Sequence, residues 1–301
     1  MRVSELCLGT MTFGSPGPRG TPPDECERLF TRFVERGGNF IDTSPEYGNG
    51  LAEQIVGRLV AARRPYFVLA TRLKPPRERY LVRSRMIDSL DASLRRLGTD
   101  HIDLLWLDAW AGSTALDEVM ATVEYLVSSG RVLYAGVTSA PARVVAQAAM
   151  LSELNGCTPL VGLQFEYSLL ERAAEQESMP TAESLGLTMV PWGVLGGGLL
   201  AGKRRGEQRS SLLSERDHAV IARVCELARD LERPPSQVAL AWVRQQSANL
   251  VPIVGARSAE KVDEVLGALN LQLTRAELRR LSHGGFEIPA QQYRVEQRVR
   301  A

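Results

Sequence analysis

YFVLAT at residues 66–71 is followed by SRMIDSLDASLRRLG at 84–98 and by HIDLLWL at 101–107. The two outer segments are short and almost continuously apolar, which is typical of strands buried on both faces of a parallel sheet. The middle segment carries apolar residues at helical spacing and ends at a glycine, which indicates an amphipathic helix. Together the three segments predict one strand–helix–strand unit of a parallel sheet.

Short apolar segments of this kind recur along the chain, with amphipathic stretches such as ERLFTRFVERG at 27–37 and DEVMATVEYLVSSG at 117–130 between them. Eight parallel strands joined by right-handed helical crossovers close into a barrel. The sequence therefore predicts an α/β fold, a (β/α)8 or TIM barrel, formed by residues 1–301 as one domain. The predicted strands are LCLG at 6–9, NFID at 39–42, YFVLAT at 66–71, HIDLLWL at 101–107, VLYAGVT at 132–138, LVGLQF at 160–165, LTMVPW at 187–192 and LVPIVG at 250–255.

The alternative is an open, doubly wound sheet with a dinucleotide fold. Its GxGxxG fingerprint is absent from the first strand-to-helix turn, which reads GTMTFG at 9–14. GVLGGGLLAG at 193–202 is rich in glycine, but it comes late in the chain and lacks that spacing. The barrel is therefore the preferred prediction.

The composition indicates a globular protein with a small-molecule partner. The 301 residues are 44% hydrophobic and 24% charged, with a formal net charge of +1. Nucleic acids and anionic membranes select a clustered excess of Lys and Arg, so neither partner is expected. MRVSELCLGT at 1–10 has no signal-peptide pattern, and no run of 18 apolar residues occurs, so we expect a cytoplasmic protein.

Neither the cysteines nor the histidines form a recognisable ligand pattern. The four cysteines lie far apart without a CxxC pair, which predicts neither a disulfide framework nor a zinc site. His218 and His283 have no partner motif, and His101 is expected at the surface before a strand. The sequence therefore predicts no metal site.

Six segments resemble the signature segments of the aldo-keto reductase family and occur in the family's order. The resemblance covers most of the chain and implies a barrel whose chemistry sits at the carboxyl ends of the strands. It also implies NADP(H) as the cofactor and an oxidoreductase that reduces a carbonyl or conjugated enone of a small organic metabolite. The segments are NFIDTSPEYGNG at 39–50, SLRRLGTDHIDLLWL at 93–107, GVTSAP at 136–141, LQFEYSLLER at 163–172, PWGVLGGGLLAGK at 191–203 and PIVGARSAEKVDE at 252–264.

The resemblance gives catalytic roles to Asp42 and Tyr47. In the family the tyrosine hydroxyl donates a proton to the carbonyl oxygen, assisted by a lysine that the aspartate holds. The lysine's position is Arg72 here, which stays protonated and presents a fork rather than a point charge. Lys74 would share a face with Arg72 if the strand continued, and it is the alternative cation.

Asp108 stands where the family has its histidine. A neutral histidine donates a hydrogen bond to the carbonyl oxygen, which an ionised aspartate does not do. A protonated Asp108 beside Tyr47 would favour hydride delivery to the C=C bond of an enone, and the family's steroid double-bond reductases carry a carboxylic residue there. An ionised Asp108 would instead act as a general base in a dehydratase, isomerase or cyclase. In a third reading Asp108 only pairs with Arg72, and the protein is an NADP-binding pseudoenzyme with a regulatory role.

The resemblance also implies a nicotinamide-nucleotide site. Thr138 and Gln164 would hold the carboxamide, and Trp192 would stack on the nicotinamide ring. Ser139 and Val265 depart from the family, which usually has Asn at both positions. The implied cofactor-binding residues are Gly9, Thr10, Met11, Asp42, Thr138, Ser139, Gln164, Trp192, Gly193, Val194, Leu195, Gly197, Lys203, Gly255, Arg257, Lys261 and Glu264.

The phosphate contacts follow from the same resemblance. Residues 193–203 resemble the loop that wraps the pyrophosphate, and Gly255, Arg257 and Lys261 resemble the 2′-phosphate pocket at a helix N-terminus. Only three of the 36 basic residues are lysines, and two of these, Lys203 and Lys261, fall in the implied site, which favours NADPH over NADH. The candidate substrate contacts are Tyr47, Trp106 and Trp110, and the two tryptophans are predicted either to line the pocket or to pack inside the barrel.

The first predicted strand begins at residue 6, whereas family members commonly begin with a hairpin that covers the bottom of the barrel. The bottom is then closed by other side chains or by a partner subunit. The sequence leaves this choice and the oligomeric state open.

Overall fold

The computed structural model describes residues 1–17, 20–76, 82–108, 116–202 and 213–282. Within these ranges eight parallel strands form one sheet. They are β1 Cys7–Gly9, β2 Phe40–Asp42, β3 Val68–Leu73, β4 Ile102–Asp108, β5 Val132–Thr138, β6 Leu160–Glu166, β7 Thr188–Trp192 and β8 Ile253–Gly255.

The strands follow each other around a nearly closed barrel. Each strand from β1 to β6 pairs in parallel with the next, and β8 pairs in parallel with β1. The remaining gap is bridged next to β8, where Met189 of β7 pairs with Leu250 and accepts a 2.8 Å hydrogen bond from Val251 N. The predicted (β/α)8 barrel is therefore confirmed.

Amphipathic helices surround the barrel. In α1 the buried side chains Cys26, Leu29, Phe30 and Phe33 recur at helical spacing and pack on the sheet. None of the helices in the described ranges has both the length and the apolar character needed to cross a membrane. The helices are α1 Pro23–Glu35, α2 Leu51–Val60, α3 Val82–Leu97, α4 Leu116–Ser128, α5 Ala142–Leu154, α6 Ser178–Ser184, α7 Glu215–Asp230, α8 Pro235–Arg244, α9 Ala259–Leu266 and α10 Arg275–Ser282.

Trp106 of β4 fills the middle of the barrel and is fully buried. A methyl group on Gly136 would lie 2.4 Å from the indole, and one on Gly162 would lie 3.1 Å from it. The glycines of β5 and β6 therefore make room for this ring. Trp106 pairs in register with Arg72, so the indole forms a floor under the carboxyl ends of the strands.

Side chains of this chain also pack at the bottom of the barrel. Val3 precedes β1 and Val251 precedes β8, and both pack against the interior cluster that contains Cys7 and Phe40. The chain's own residues therefore cover part of the bottom of the barrel, and the role of a partner subunit stays a prediction.

Candidate active site

Asp42, at the end of β2, is the centre of a buried polar network and is 1% exposed. Its Oδ1 accepts a hydrogen bond from Arg72 Nη2 at 3.3 Å, and its Oδ2 accepts one from Gln164 Nε2 at 3.1 Å. Gln164 Oε1 in turn accepts a 3.0 Å hydrogen bond from Thr138 Oγ1. Burial raises the pKa of Asp42 above its ordinary value, and the charge of Arg72 partly offsets this. The network joins β2, β3, β5 and β6.

Tyr47 lies directly after β2, half-buried, in the turn Tyr47–Gly50. The Arg72 Cζ atom is 5.6 Å from the centroid of the Tyr47 ring, so the guanidinium faces the phenol as a cation–π partner. Burial raises the pKa of Tyr47 above the ordinary tyrosine value, the negative charge of Asp42 adds to this, and Arg72 opposes it. The phenol is therefore protonated at neutral pH, as a proton donor must be.

The turn that carries Tyr47 needs left-handed backbone. Gly48, Asn49 and Gly50 have φ values of +56°, +53° and +87°, a region open to glycine and tolerated by asparagine. The glycine–asparagine–glycine run therefore allows the chain to reverse directly after the tyrosine, which keeps Tyr47 close to the strand ends.

A second buried carboxylate connects this turn to β3. Glu53 of α2 is fully buried, and its two oxygens accept hydrogen bonds from Arg96 Nε at 2.6 Å and from Thr71 Oγ1 at 2.7 Å. Thr71 immediately precedes Arg72, and Arg96 packs against Gly50. Glu53 thus links the segments that carry the phenol and the guanidinium. Sequence reasoning missed it because the residue lies inside a helix.

Asp108 ends β4 and is partly exposed at the mouth of the barrel. It pairs in register with Thr138 at the end of β5, and its negative charge adds to the raised pKa of Tyr47. Arg72 forms its salt bridge with Asp42, and none joins Arg72 to Asp108 among the described residues. The charge of Asp108 nevertheless acts on Arg72 and helps to raise its pKa, so the pseudoenzyme reading stays a prediction.

Lys74 does not share the position of Arg72. The strand ends at Leu73, and the half-exposed Lys74 side chain places its Nζ 3.8 Å from Glu46 Oε1. The condition for the alternative cation was that the strand continued, and this condition is not met.

The implied nicotinamide and pyrophosphate residues lie together after β7. Trp192 is the last residue of that strand, and Gly193, Gly196, Gly197 and Gly198 all have positive φ values. This left-handed backbone favours glycine and holds the chain in tight turns whose N–H groups can approach a phosphate closely. Behind these turns Val194 is buried and Leu195 is half-buried.

The implied 2′-phosphate residues lie between β8 and α9. A methyl group on Gly255 would meet no atom within 4 Å, so there is open space beside it. Arg257 is exposed, and Ser258 caps α9 by accepting a hydrogen bond from Lys261 N. The Lys261 side chain forms a salt bridge with Glu264. Basic groups and a helix N-terminus therefore meet at this point.

The implied residues after β1 and β5 surround the same network. Thr10 is buried and its Oγ1 donates a 3.0 Å hydrogen bond to Asp42 O, whereas Met11 is 63% exposed. Gly9 lies against Ile253 of β8. Ser139, with a φ of +53°, places its Oγ 3.3 Å from Thr138 Oγ1.

The implied substrate contacts are placed unequally. Tyr47 lies at the mouth of the barrel, but Trp106 is fully buried in the floor beneath it. Trp106 therefore supports the site from below in this structure. Trp110, and Lys203 of the implied cofactor site, lie outside the described residues.

Several buried polar atoms at the strand ends lack a hydrogen-bond partner among the described residues. They include Thr43 Oγ1, Arg72 Nε and Trp192 Nε1. Buried polar atoms in folded proteins nearly always have a partner. A polar ligand in the mouth of the barrel would supply one, and the residues present fit such a ligand.

Glu166 was missed by sequence reasoning, although the alternation of a strand predicts it. It lies two residues after Gln164 and therefore on the same face of β6, at the carboxyl end. The residue is exposed, and a methyl group on Gly193 would lie 3.2 Å from Glu166 Oε1. Burial raises the pKa of Glu166, and the charge of Glu171 adds to this. The mouth of the barrel thus holds an additional acidic group beside the implied cofactor site.

This chain matches one family model and several known proteins. The model of the aldo/keto reductase family matches residues 5–283. Norsolorinic acid reductase of Aspergillus flavus is 32% identical, over 98% of this chain and 84% of its own length. Aryl-alcohol dehydrogenase GME11368 of Pestalotiopsis microspora is 32% identical, over 94% and 79%. The uncharacterized oxidoreductase YrpG of Bacillus subtilis is 34% identical, over 94% and 92%.

A solved structure of an aldo-keto reductase has a similar fold. The thermostable aldo-keto reductase Tm1743, crystallised with the inhibitor epalrestat, matches with a TM-score of 0.78 at 26% identity, covering 94% of this chain and 96% of that one. The family match and the relatives named as oxidoreductases show that this chain is an NAD(P)-dependent oxidoreductase that belongs to the aldo/keto reductase family.

Proposed function

We propose that this protein is an NADPH-dependent reductase of a carbonyl group or conjugated enone in a small organic molecule, with Tyr47 as the proton donor. One observation carries the proposal: the Arg72 guanidinium, held by Asp42 at 3.3 Å, lies 5.6 Å from the centroid of the Tyr47 ring. A fixed cation beside a half-buried phenol stabilises the negative charge that the phenol gains when it gives up its proton.

Aromatic carbonyl compounds are the first substrate class to test. One group of relatives is named for norsolorinic acid and another for aryl alcohols. In this chain the half-buried rings of Tyr47 and Trp192 line the ends of β2 and β7. Flat apolar faces of this kind suit an aromatic substrate and a nicotinamide ring.

The cofactor would lie across the carboxyl ends of the strands, and when bound it supplies the hydride. Trp192 would stack on its ring, and the turns of residues 193–198 would bind the pyrophosphate through backbone N–H groups. Gln164 and Thr138 would face the carboxamide. The remaining proposed contacts are Gly9, Thr10, Met11, Ser139, Lys203, Gly255, Arg257, Lys261 and Glu264.

Tyr47 would transfer its proton to the substrate oxygen as negative charge develops there. Its raised pKa keeps the proton on the phenol at neutral pH. Arg72 stays charged throughout, so it stabilises the phenolate but does not serve as a proton reservoir near neutrality. Asp42 fixes the guanidinium, which makes it a positioning residue in this scheme.

The test is a substrate panel followed at the absorbance of reduced nicotinamide. Wild-type protein should oxidise NADPH with at least one aryl aldehyde, aryl ketone or enone. Tyr47→Phe keeps the ring but removes the hydroxyl, and it should lower kcat/KM by roughly 10²- to 10⁴-fold, the usual contribution of a positioned acid. Full activity in Tyr47→Phe would refute the role given to this residue.

Asp108 supports a second candidate, a non-redox dehydratase, isomerase or cyclase. The observation in its favour is that Asp108 ends β4 beside Thr138 of β5, without a salt bridge to Arg72 among the described residues. Product formation without net consumption of NADPH would establish this activity. Asp108→His would restore a neutral hydrogen-bond donor and should raise simple ketone reduction. Unchanged ketone reduction would show that the carboxylate does not redirect the chemistry.

A further inference from the structure

Glu25 of α1 reaches the amino end of α9. Its Oε1 accepts a 3.1 Å hydrogen bond from Ala259 N, and Ala259 is the first residue of that helix. Its Oε2 lies 3.1 Å from Arg28 Nη1, and its side chain is only 18% exposed. A carboxylate from a different helix therefore accepts a hydrogen bond from one of the N–H groups at this helix terminus, where the helix dipole favours negative charge.

A further set of salt bridges holds the two helices together one turn away. Asp263 of α9 contacts Arg32 Nε and Arg36 Nη2, both at 2.8 Å. The hydrogen bond from Arg32 lowers the pKa of Asp263, and the charges of both arginines add to this, so the pairs persist at neutral pH. The position of Glu25 is thus set by the packing of α1 on α9 as well as by its own hydrogen bond.

The same helix terminus is the proposed site of the cofactor's 2′-phosphate. Arg257 and Lys261 supply positive charge there, and the N–H groups of the first turn would supply hydrogen-bond donors. Glu25 accepts a hydrogen bond from one of these donors, and its carboxylate, which also pairs with Arg28, places negative charge at the helix terminus. NADH carries a 2′-hydroxyl instead, which is neutral and can donate a hydrogen bond to a carboxylate. The two nucleotides should therefore respond to Glu25 in different ways.

We infer that Glu25 is a specificity-determining residue that reduces the preference of this protein for NADPH over NADH. The inference rests on the proposed cofactor site and adds a residue that no signature segment contains. It also predicts a direction: removing the charge of Glu25 strengthens NADP⁺ binding and leaves NAD⁺ binding unchanged or weaker.

The experiment measures dissociation constants of NADP⁺ and NAD⁺ by titration calorimetry, without a substrate. Glu25→Gln keeps an oxygen that can accept from Ala259 N but removes the charge. We expect NADP⁺ to bind about 3- to 10-fold more tightly, the change expected when one like charge is removed at a helix terminus. Glu27→Gln is the matched control, because Glu27 carries the same charge on the same helix but is exposed. Its ratio of the two dissociation constants should equal that of the wild type.

The outcomes separate the two proposals. If both nucleotides bind but Glu25→Gln leaves the ratio of dissociation constants unchanged, the inference about Glu25 is wrong while the proposed function stands. An equal gain in Glu27→Gln would also overturn it, because the effect would then come from the general charge of α1. If neither nucleotide binds to the folded wild-type protein, the proposed function fails and the inference falls with it. Thermal unfolding of each variant verifies that the protein is folded.

Discussion

Asp42→Asn tests the network at the strand ends, because it keeps the shape of the side chain and removes its charge. Arg72, with only 15% of its side chain exposed, would lose the carboxylate that pairs with it. Removing one partner of a fully buried ion pair costs about 3–5 kcal/mol. The residual exposure of Arg72, the 3.3 Å separation and the amide oxygen that remains in Asn all reduce this cost. We expect the free energy of unfolding to fall by about 2 kcal/mol.

Urea unfolding followed by tryptophan fluorescence measures this loss, and Asp103→Asn is the matched control. Asp103 pairs with Arg64 at 2.6 Å, and the two side chains are 14% and 13% exposed. The pair lies near the amino end of β4, away from the mouth of the barrel. Asp103→Asn should lower stability by a similar amount and leave kcat/KM unchanged, whereas Asp42→Asn should lower both.

The pH profile gives a second measurement that a purely structural role would not affect. The charge of Asp42 raises the pKa of Tyr47, so Asp42→Asn should lower that pKa. Oxidation of an alcohol, the reverse reaction, needs the deprotonated phenol and increases with pH through the pKa of Tyr47. The rise should therefore begin at lower pH in the variant. Wild-type stability together with an unshifted profile would refute the role assigned to Asp42.

Three further predictions follow from the same geometry. In the wild type, alcohol oxidation should still be rising at pH 10, because burial raises the pKa of Tyr47, and a plateau below pH 9 would contradict this. Gly136→Ala should lower the free energy of unfolding by about 1–3 kcal/mol, since its methyl group would lie 2.4 Å from the Trp106 indole. Gly255→Ala is the control in the same urea assay, because there is open space beside Gly255. Glu53→Gln should destabilise by about 2 kcal/mol and lower kcat, because the charge of Arg96 loses its buried partner; a loss of stability with unchanged kcat would show that Glu53 does not position the tyrosine turn.

The strand bounds show what a pattern of apolar residues predicts. The predicted strand at 132–138 has the same bounds as β5, because this run is almost continuously apolar and contains three β-branched residues. The third strand was predicted to end at residue 71 but continues to Leu73, since Arg72 remains in the ladder and pairs with Asp42. The last strand was predicted from residue 250 but begins at Ile253. Pro252 has no N–H to donate to a ladder, so the residues before it form only an isolated bridge to Met189.

The sequence predicted which strands carry the site, but it did not predict all of the side-chain contacts within it. The order of the strands brings their carboxyl ends to one mouth, so the sequence predicted which segments meet there. The family resemblance predicted Asp42 as the partner of the cation at position 72, and the two side chains form a salt bridge in the structure. Spacing along the chain alone does not distinguish Asp42 from Asp108, because the choice depends on side-chain directions across neighbouring strands. Glu25 was missed for a related reason, because its contact with α9 joins residues 234 positions apart.

If the proposed function holds, the network would couple cofactor binding to proton transfer through one carboxylate. One oxygen of Asp42 holds Arg72, which faces Tyr47, and the other holds Gln164, which would face the carboxamide of the nicotinamide. A ligand that accepts a hydrogen bond from the Gln164 amide would weaken the hydrogen bond from Gln164 to Asp42. The Asp42 carboxylate would then interact more strongly with Arg72. The guanidinium would then be held more firmly beside the phenol when the cofactor is present. Changes at Gln164 and Arg72 should consequently combine non-additively, because both residues act through the same buried group.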